Sequence, residues 1–361
     1  MSKYWNTRTE KIIPYVPGEQ PKDKKFIKLN TNENPYPPSP KVIEAVKNAV
    51  NEDLRLYPDP ETAAFKEAAA ARYGVKPEQI FAGNGSDEIL AFAFGAFFES
   101  LSAQKDAGAR HILFPDITYS FYPVYAGLWS IPYRAVPLRD DFSINCEDYK
   151  TPCGGVIFPS PNAPTGIPIP LADILSLAEY LEKQNRVLIV DEAYIAFGAQ
   201  SAVPYIKKYP NLLTIHTLSK SASLAGLRFG FAIGSEDLIE GLCRIKDSFN
   251  SYTIDRLALK GAAAAVGDSA WYDEINRRIM ATRERITKEL RNLGFNVLPS
   301  AANFLFIKAP NTSGSDFLAY LREQGILVRH FNKERIADFL RVSIGTDEEM
   351  DTFLDICKKI D

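Results

Sequence analysis

Four short apolar runs in the middle of the chain predict strands that are buried on both faces. They are HILFP, GGVIFPSP, VLIVDEAY and LLTIHTLS, at residues 111–115, 154–161, 187–194 and 212–219. A strand with one face in water alternates apolar and polar residues, whereas strands of a covered parallel sheet are continuously apolar. The helical periodicity of residues 171–185 predicts a crossover between two of these strands. RFGFAIG, at 228–234, follows the fourth run closely, so we expect it to be antiparallel to its neighbour.

The segments before these strands predict helices. SPKVIEAVKNAV has an amphipathic pattern opened by Ser39 and Pro40, and ETAAFKEAAAARYG ends at Gly74, a favourable residue for a helix C-terminus. Further on, IFAGNGSDEILAFAFGAFF predicts a strand, a glycine-containing loop and a helix from about Ser86. The prolines at 35, 37, 38 and 40 predict an extended segment that lies along a surface rather than in a sheet.

The pattern changes character from about residue 255. DEINRRIMATRERITKELRNLG predicts a long charged helix, and it is followed by a mixture of shorter predicted strands and helices. This mixture is typical of an α+β domain. The sequence therefore predicts an α/β protein in three parts: an N-terminal arm at 1–40, a large domain at 41–255 with a mostly parallel sheet covered by helices, and a smaller α+β domain at 256–361.

Composition and charge narrow the classes of partner. The net charge of -3, with scattered basic residues, argues against nucleic acid and anionic membranes as partners. The four cysteines are far apart, and no histidine lies near them at metal-ligand spacing, so we expect reduced thiols in a cytoplasmic protein and no metal site. No leader segment or membrane anchor is expected from the polar first residues.

A lysine stands where an apolar strand is expected to end. Lys220 follows LLTIHTLS and precedes the small residues of SASLAG. Burying an ammonium group is costly unless a reaction needs its pKa lowered, and small neighbours leave space for a large ligand. Our hypothesis is that an aldehyde cofactor is joined to Lys220 as a Schiff base.

Two other strand ends carry polar residues at matching intervals. Asn162 precedes Asp191 by 29 residues, and Asp191 precedes Lys220 by 29. This interval is close to the length of a βαβ unit, so the three should lie side by side beyond the carboxyl ends of the strands. Asp191 would suit a protonated pyridine nitrogen, which increases the ring's power as an electron sink. Asn162 and Tyr194 could hold the ring's phenolic oxygen.

The same cofactor would need a phosphate site. An arginine side chain, a hydroxyl and the free amides at a helix N-terminus can supply one. The candidates are Gly85, Ser86, Asp87, Ser219 and Arg228. Tyr119 could stack on the ring.

Two arginines interrupt apolar strands of the predicted smaller domain. Arg329 lies in GILVRHF and Arg341 in FLRVSIG. Internal salt bridges with the acids of this domain are one interpretation. The functional interpretation is a fork for a substrate carboxylate at Arg341 and a site for a second anionic group at Arg329.

These motifs resemble the fold-type-I pyridoxal-phosphate aminotransferases. PSPNAPTG, VDEAY and the SK pair followed eight residues later by an arginine resemble the superfamily, whereas LNTNENPY and GNGSDE resemble the narrower histidinol-phosphate aminotransferases. The resemblance implies pyridoxal 5'-phosphate as cofactor and Lys220 as the Schiff-base lysine and proton shuttle. For the other cofactor residues, the resemblance implies the roles given above. It also implies that Arg341 binds the substrate carboxylate or an equivalent group.

The resemblance also implies features that the residues alone do not. Tyr57 would reach the cofactor phosphate of a neighbouring subunit, which makes a homodimer with shared active sites. Asn34 and Tyr36 would belong to an arm that closes over small-molecule substrates. Ala196 and Ala222 depart from the family's usual residues. These departures leave the substrate open, with an aromatic or broad-specificity aminotransferase and a threonine-phosphate decarboxylase as the alternatives among enzymes. A catalytically silent cofactor-binding module is the alternative from another class.

Overall fold

The computed structural model describes residues 3–15, 18–20, 26–103 and 110–360. Parts of the predicted arm and the last residue of the predicted small domain lie outside these ranges. The strands are β1 (Ile27–Lys28), β2 (Ile80–Gly83), β3 (Ile112–Pro115), β4 (Tyr133–Val136), β5 (Val156–Pro159), β6 (Leu188–Asp191), β7 (Leu212–Thr217), β8 (Gly230–Ile233), β9 (Asn296–Val297), β10 (Phe304–Lys308), β11 (Ile326–Leu327), β12 (Arg329–His330) and β13 (Phe339–Ser343).

The α-helices cover both faces of the main sheet and one side of the smaller one. They are α1 (Thr7–Lys11), α2 (Pro40–Ala49), α3 (Ala63–Tyr73), α4 (Gly85–Phe97), α5 (Tyr122–Trp129), α6 (Leu171–Glu182), α7 (Leu218–Ser221), α8 (Glu236–Phe249), α9 (Arg256–Gly267), α10 (Ser269–Asn292), α11 (Gly314–Glu323) and α12 (Asp347–Cys357). Across the described residues, no helix is both long and apolar enough to cross a membrane.

Seven strands form the main sheet in the order β2-β8-β7-β6-β5-β3-β4. The pairs from β7 to β4 are parallel, while β8 is antiparallel to both β7 and β2. The prediction of a mostly parallel sheet with an antiparallel strand at 228–234 is therefore confirmed. Strands β3, β5, β6 and β7 are buried along their whole length, as continuous apolar runs require.

The run that leads to the lysine ends earlier than expected. Strand β7 stops at Thr217, and the next four residues form the one-turn helix α7, which contains Lys220. The Thr217 hydroxyl accepts a hydrogen bond from the Ser219 amide and so starts the turn. The predicted strand to residue 219 was wrong, because a local cap competes with sheet pairing at this point.

The local signals around the first helices are confirmed. The Ser39 hydroxyl accepts from the Lys41 amide at the start of α2, and Gly74 ends α3 in the left-handed conformation, at φ +67°. The proline-rich stretch contains no strand, but upstream of it β1 pairs in parallel with β11. The arm is therefore attached by a strand to the C-terminal part of the chain.

The C-terminal part has its own sheet and core. Strands β12-β13-β10-β9 form an antiparallel sheet against α10 and α11, and α12 packs on α10. By contrast, α9 packs on α2 and α3, and its Ala258 and Ala262 belong to the core of the main sheet. The division at residue 255 stays a prediction, and this packing favours a boundary after α9.

Candidate active site

A cavity of about 380 Å³ lies beyond the carboxyl ends of β5, β6 and β7. The arm, the start of α4 and strands β12 and β13 complete its walls. This volume is in the range of small-molecule sites, roughly 300–1,000 Å³. The predicted site residues in its walls are Ser86, Asp87, Tyr119, Asp191, Tyr194, Ser219, Lys220, Arg228, Arg329 and Arg341.

The Lys220 ammonium group points to the arm. Its Nζ donates a hydrogen bond to the Thr31 carbonyl at 2.9 Å, and the Asn34 amide donates to the Lys220 carbonyl at 3.0 Å. Burial, together with the positive charge of Arg341, lowers the pKa of Lys220 to about 8. A lysine with a pKa near neutrality is available as a nucleophile and as a proton carrier.

Asp191 is a buried carboxyl at the end of β6. It is 5% exposed and accepts hydrogen bonds from the Tyr122 hydroxyl and the Ala193 amide, each at 3.2 Å. Burial raises the pKa of Asp191 to about 7, and no described residue forms a salt bridge to it. A cationic ring nitrogen beside it would favour the ionised form. This position therefore fits the ring nitrogen of a pyridine cofactor.

Glycines let Arg228 lie against the start of α4. A Cβ atom at Gly85, which has φ +78°, would lie 2.6 Å from the Arg228 guanidinium, and one at Gly230 would lie 2.5 Å from the Ser86 amide nitrogen. Arg228 Nη1 contacts the Ser219 hydroxyl at 3.4 Å, and its Nη2 lies 3.2 Å from the Asp87 carboxylate. Amides, an arginine and a hydroxyl at a helix N-terminus are a suitable donor set for a phosphate.

Tyr119 forms part of the cavity wall beside this cluster. Its hydroxyl donates to Asp87 Oδ1 at 2.6 Å, and its ring contacts Phe121 with 5.5 Å between centroids. Burial raises the pKa of Tyr119 well above its usual value, and the neighbouring Asp87 carboxylate adds to this shift. The tyrosine is therefore a neutral hydrogen-bond donor, and its predicted stacking on a cofactor ring stays a prediction.

The Asn162 side chain does not line the cavity and forms its hydrogen bonds within the protein. Its amide donates to the Ile117 carbonyl at 3.0 Å and to the Thr165 hydroxyl at 3.1 Å, and its carbonyl accepts from the Thr118 hydroxyl at 3.1 Å. Both amide hydrogens are thus used within the protein. Donation to a cofactor oxygen would require the exchange of one of these bonds, so this role stays a prediction.

Arg341 and Arg329 are direct partners across β12 and β13. Arg341 Nη2 donates to the Asn30 carbonyl at 2.9 Å, while its buried Nε has no hydrogen-bond partner among the described residues. Burial and the charge of Arg329 lower the pKa of Arg341. No carboxylate in the described part of the chain forms a salt bridge with Arg341, which favours an external anion over the internal salt bridge.

Three other predicted residues lie outside the cavity walls. Tyr57 is 79% exposed and stacks on Tyr252 at 4.7 Å between centroids. Tyr36 packs under the Arg278 guanidinium, 4.3 Å from its ring centroid, and Asn34 is bonded to the Lys220 turn. Among the described residues, no cluster of three or more His, Cys, Asp or Glu side chains could hold a metal ion.

The sequence interpretation missed several residues of this site. Tyr122 was not among the candidates, although its hydroxyl donates to Asp191 at 3.2 Å. Asn32, in LNTNENPY, donates to the Tyr194 hydroxyl at 2.9 Å. Tyr15 stacks on Phe121 and lines the cavity, but nothing in its local sequence distinguishes it from a surface tyrosine.

The fold and site define an aminotransferase, and the chain belongs to the class I and II aminotransferase family, whose model matches residues 24–356. Two curated relatives are both histidinol-phosphate aminotransferases. The protein from Acetobacter pasteurianus is 54% identical over 360 residues, covering 100% of this chain and 98% of the relative. The protein from Clostridium beijerinckii is 56% identical over 355 residues, covering 98% and 96%.

A solved structure shows the same fold. It is histidinol-phosphate aminotransferase from Sinorhizobium meliloti in complex with pyridoxal-5'-phosphate. The TM-score is 0.86 at 23% sequence identity, over 99% of this chain and 98% of the other. The expected fold type I architecture is therefore confirmed.

Proposed function

We propose that this protein is a pyridoxal-phosphate-dependent histidinol-phosphate aminotransferase. It would transfer an amino group between glutamate or 2-oxoglutarate and histidinol phosphate or imidazole-acetol phosphate, in histidine biosynthesis. The observation that carries the proposal is one cavity whose walls contain Lys220, of lowered pKa, the buried acid Asp191 and, at the start of α4, groups that suit a phosphate. The full-length similarity to curated proteins of this name supports the substrate.

Different residues would bind different parts of the cofactor. When bound, pyridoxal phosphate supplies an aldehyde for the amine and an electron-accepting ring. Lys220 would hold the aldehyde carbon, Asp191 would bind the ring nitrogen, and Tyr194 would donate to the ring oxygen. Ser219 and Arg228 would bind the phosphate with the first amides of α4.

Lys220 would also move the substrate proton. Its pKa of about 8 lets the amine accept a proton from the substrate α-carbon and return it to another position near neutral pH. Arg341 and Arg329 would bind the substrate anion, which is a carboxylate in glutamate and a phosphate in histidinol phosphate. Both anions accept parallel N–H bonds from a guanidinium, so one pair of arginines can serve both substrates.

A homodimer would complete the site. Tyr57 is far more exposed than most tyrosines and lies outside its own cavity, which supports a contact with a second subunit. We also propose a cytoplasmic location, because the four cysteines are free thiols.

Amino-donor specificity provides the test. The purified protein with pyridoxal phosphate should change its visible absorbance on addition of histidinol phosphate or glutamate, and should produce 2-oxoglutarate from glutamate when imidazole-acetol phosphate is present. Lys220→Ala should abolish the production of 2-oxoglutarate, because the amine that moves the substrate proton is gone, whereas Lys183→Ala, a change at an exposed helical ion pair, should leave both signals intact.

Other outcomes identify the alternatives. A response to phenylalanine or tyrosine but not to histidinol phosphate would assign the protein to the aromatic aminotransferases. Release of carbon dioxide from threonine phosphate would identify a decarboxylase. A spectrum that is unchanged by pyridoxal phosphate in both the wild type and Lys220→Ala would contradict the cofactor assignment.

A further inference from the structure

Asn32 is a buried residue in a strained backbone conformation. It is 1% exposed and has φ +54°, in the left-handed region that non-glycine residues rarely adopt. Asparagine tolerates this region better than most side chains, but the conformation persists only where surrounding contacts enforce it. Asn32 also lies at the wall of the cavity.

The polar groups of Asn32 are satisfied by three neighbouring residues. Its amide N–H donates to the Ser343 hydroxyl at 2.9 Å, and that hydroxyl donates back to Asn32 Oδ1 at 2.9 Å. Its Nδ2 donates to the Tyr194 hydroxyl at 2.9 Å, and its carbonyl accepts from Asn303 Nδ2 at 3.0 Å. The side chain therefore connects β13 with the tyrosine at the end of β6.

The orientation of the Asn32 amide follows from the count of hydrogens. A serine hydroxyl has one hydrogen, and Ser343 gives it to Oδ1. If the amide were turned over, Oδ1 would accept the Tyr194 hydrogen and the Ser343 hydrogen would lose this acceptor. In the observed orientation, Tyr194 accepts from Asn32, so its own hydrogen is available to a group in the cavity.

We propose that Asn32 is a positioning residue that fixes the Tyr194 hydroxyl as a donor to the cofactor's ring oxygen. The inference rests on the proposed function, because it takes the cofactor to bind in this cavity. The backbone around Asn32 extends the connection, since Arg341 donates to the Asn30 carbonyl and Lys220 to the Thr31 carbonyl. One segment of the arm thus contacts Arg341, Lys220 and Tyr194 and fixes their positions relative to one another.

A double-mutant cycle with Tyr194 tests this role. Asn32→Asp keeps the size of the side chain but replaces the donor by an acceptor, which would take the Tyr194 hydrogen. The observable is the pH midpoint of the bound cofactor's visible spectrum, because a donor to the ring oxygen favours the unprotonated form. Asn32→Asp and Tyr194→Phe should each raise the midpoint and each lower kcat/KM by roughly tenfold, the effect of one charge-assisted hydrogen bond.

The combination of the two changes decides between a positioning and a purely structural role. In the Tyr194→Phe background, Asn32→Asp should change kcat/KM and the acid dissociation constant at the spectral midpoint by less than about twofold each. The reason is that the Tyr194 hydroxyl, through which Asn32 acts, is absent. Asn32→Gly provides a second variant, since glycine accepts the left-handed backbone without strain, and it should show the same non-additivity. Asn145→Asp, at the half-buried cap of a short 3₁₀ turn that an aspartate also satisfies, is the matched control and should change neither quantity.

Two results would overturn the inference. One is independent, multiplicative effects of Asn32→Asp and Tyr194→Phe in an active enzyme. The other is a loss of thermal stability in the Asn32 variants with an unchanged spectral midpoint. Failure of the proposed function looks different, because the wild type itself would then neither bind pyridoxal phosphate nor transfer an amino group.

Discussion

Replacement of Arg341 by methionine should lower the activity strongly but change the stability of the fold little. In the folded protein this half-buried arginine donates to the Asn30 carbonyl, and its guanidinium lies over the Phe304 and Phe331 rings, at 5.5 and 5.6 Å from their centroids. Its Nε has no partner among the described residues, and Arg329 lies directly opposite. A substrate anion would accept a hydrogen bond from Nε and would balance the two neighbouring positive charges.

The expected change in stability is small because opposing contributions nearly cancel. The hydrogen bond to Asn30 contributes about 1.5–3 kcal/mol and each ring contact about 0.5–1 kcal/mol. Against them stand about 1–3 kcal/mol for the unsatisfied Nε and the further cost of a buried charge beside a like charge. Arg341→Met should therefore change the free energy of unfolding by less than about 2 kcal/mol, whereas breaking a buried ion pair would cost about 3–5 kcal/mol.

The expected change in activity is large. Two parallel charge-assisted bonds to an anion contribute about 3–4 kcal/mol in total, so kcat/KM should fall by roughly two to three orders of magnitude for both substrates. Steady-state kinetics and urea denaturation measure the two quantities. Arg285→Met removes an exposed arginine that pairs with Asp347 and Asp351, and it should leave kcat/KM unchanged.

One combination of results would refute this reasoning. Suppose that Arg341→Met destabilised the protein by more than about 3 kcal/mol while KM for both substrates stayed constant. Arg341 would then stabilise the fold through an internal salt bridge rather than bind the substrate.

Three further predictions concern the cofactor cavity in the protein without cofactor. Asp191 should contribute a fall in the free energy of unfolding as pH rises from about 4 to about 7, because the folded carboxyl keeps its proton to about pH 7 while the unfolded one loses it near 3.8; in urea denaturation, the stability of the wild type relative to Asp191→Asn should therefore decrease over this range. Lys220 should contribute a rise in stability between about pH 8 and 10.5, because the folded amine loses its proton first, so the stability of the wild type relative to Lys220→Met should increase over this range in the same assay. Gly230→Ala should weaken pyridoxal phosphate binding by roughly tenfold or more in a fluorescence titration, because its Cβ would displace the start of α4.

Matched variants make these measurements decisive. Gly127→Ala adds a methyl group on α5 where nothing lies within 4 Å, so it should bind pyridoxal phosphate as the wild type does. Unchanged binding in Gly230→Ala would show that the start of α4 does not hold the phosphate. A pH profile of Asp191→Asn or Lys220→Met that matched the wild type would show that the respective group titrates normally in the folded protein.

Much of the architecture was accessible from the sequence because it depends on local or nearly local signals. Continuous apolar runs identified four buried strands, and the short connection before 228–234 gave the antiparallel direction of β8. Ser39 and Gly74 marked helix ends because capping is a matter of a few neighbouring residues. The equal intervals between Asn162, Asp191 and Lys220 placed three strand ends at one edge because neighbouring parallel strands repeat a βαβ unit.

The sequence could not show where each side chain points. Asn162 is at the expected strand end, yet its amide bonds to Ile117 and Thr165, residues whose proximity depends on the packing of loops. Lys220 lies on a helical turn rather than on the strand, because the Thr217 cap competes with sheet pairing.

The sequence by itself determined the identity and the order of the chemical groups: a lysine, an acid, an arginine near a helix N-terminus and two arginines in a C-terminal sheet. Only the tertiary structure decided that the arm joins them. Asn32 lies 162 residues from Tyr194 and 311 from Ser343, and it contacts both. No periodicity encodes a contact between segments so far apart, because such contacts form only when the arm packs against both of them in the folded chain.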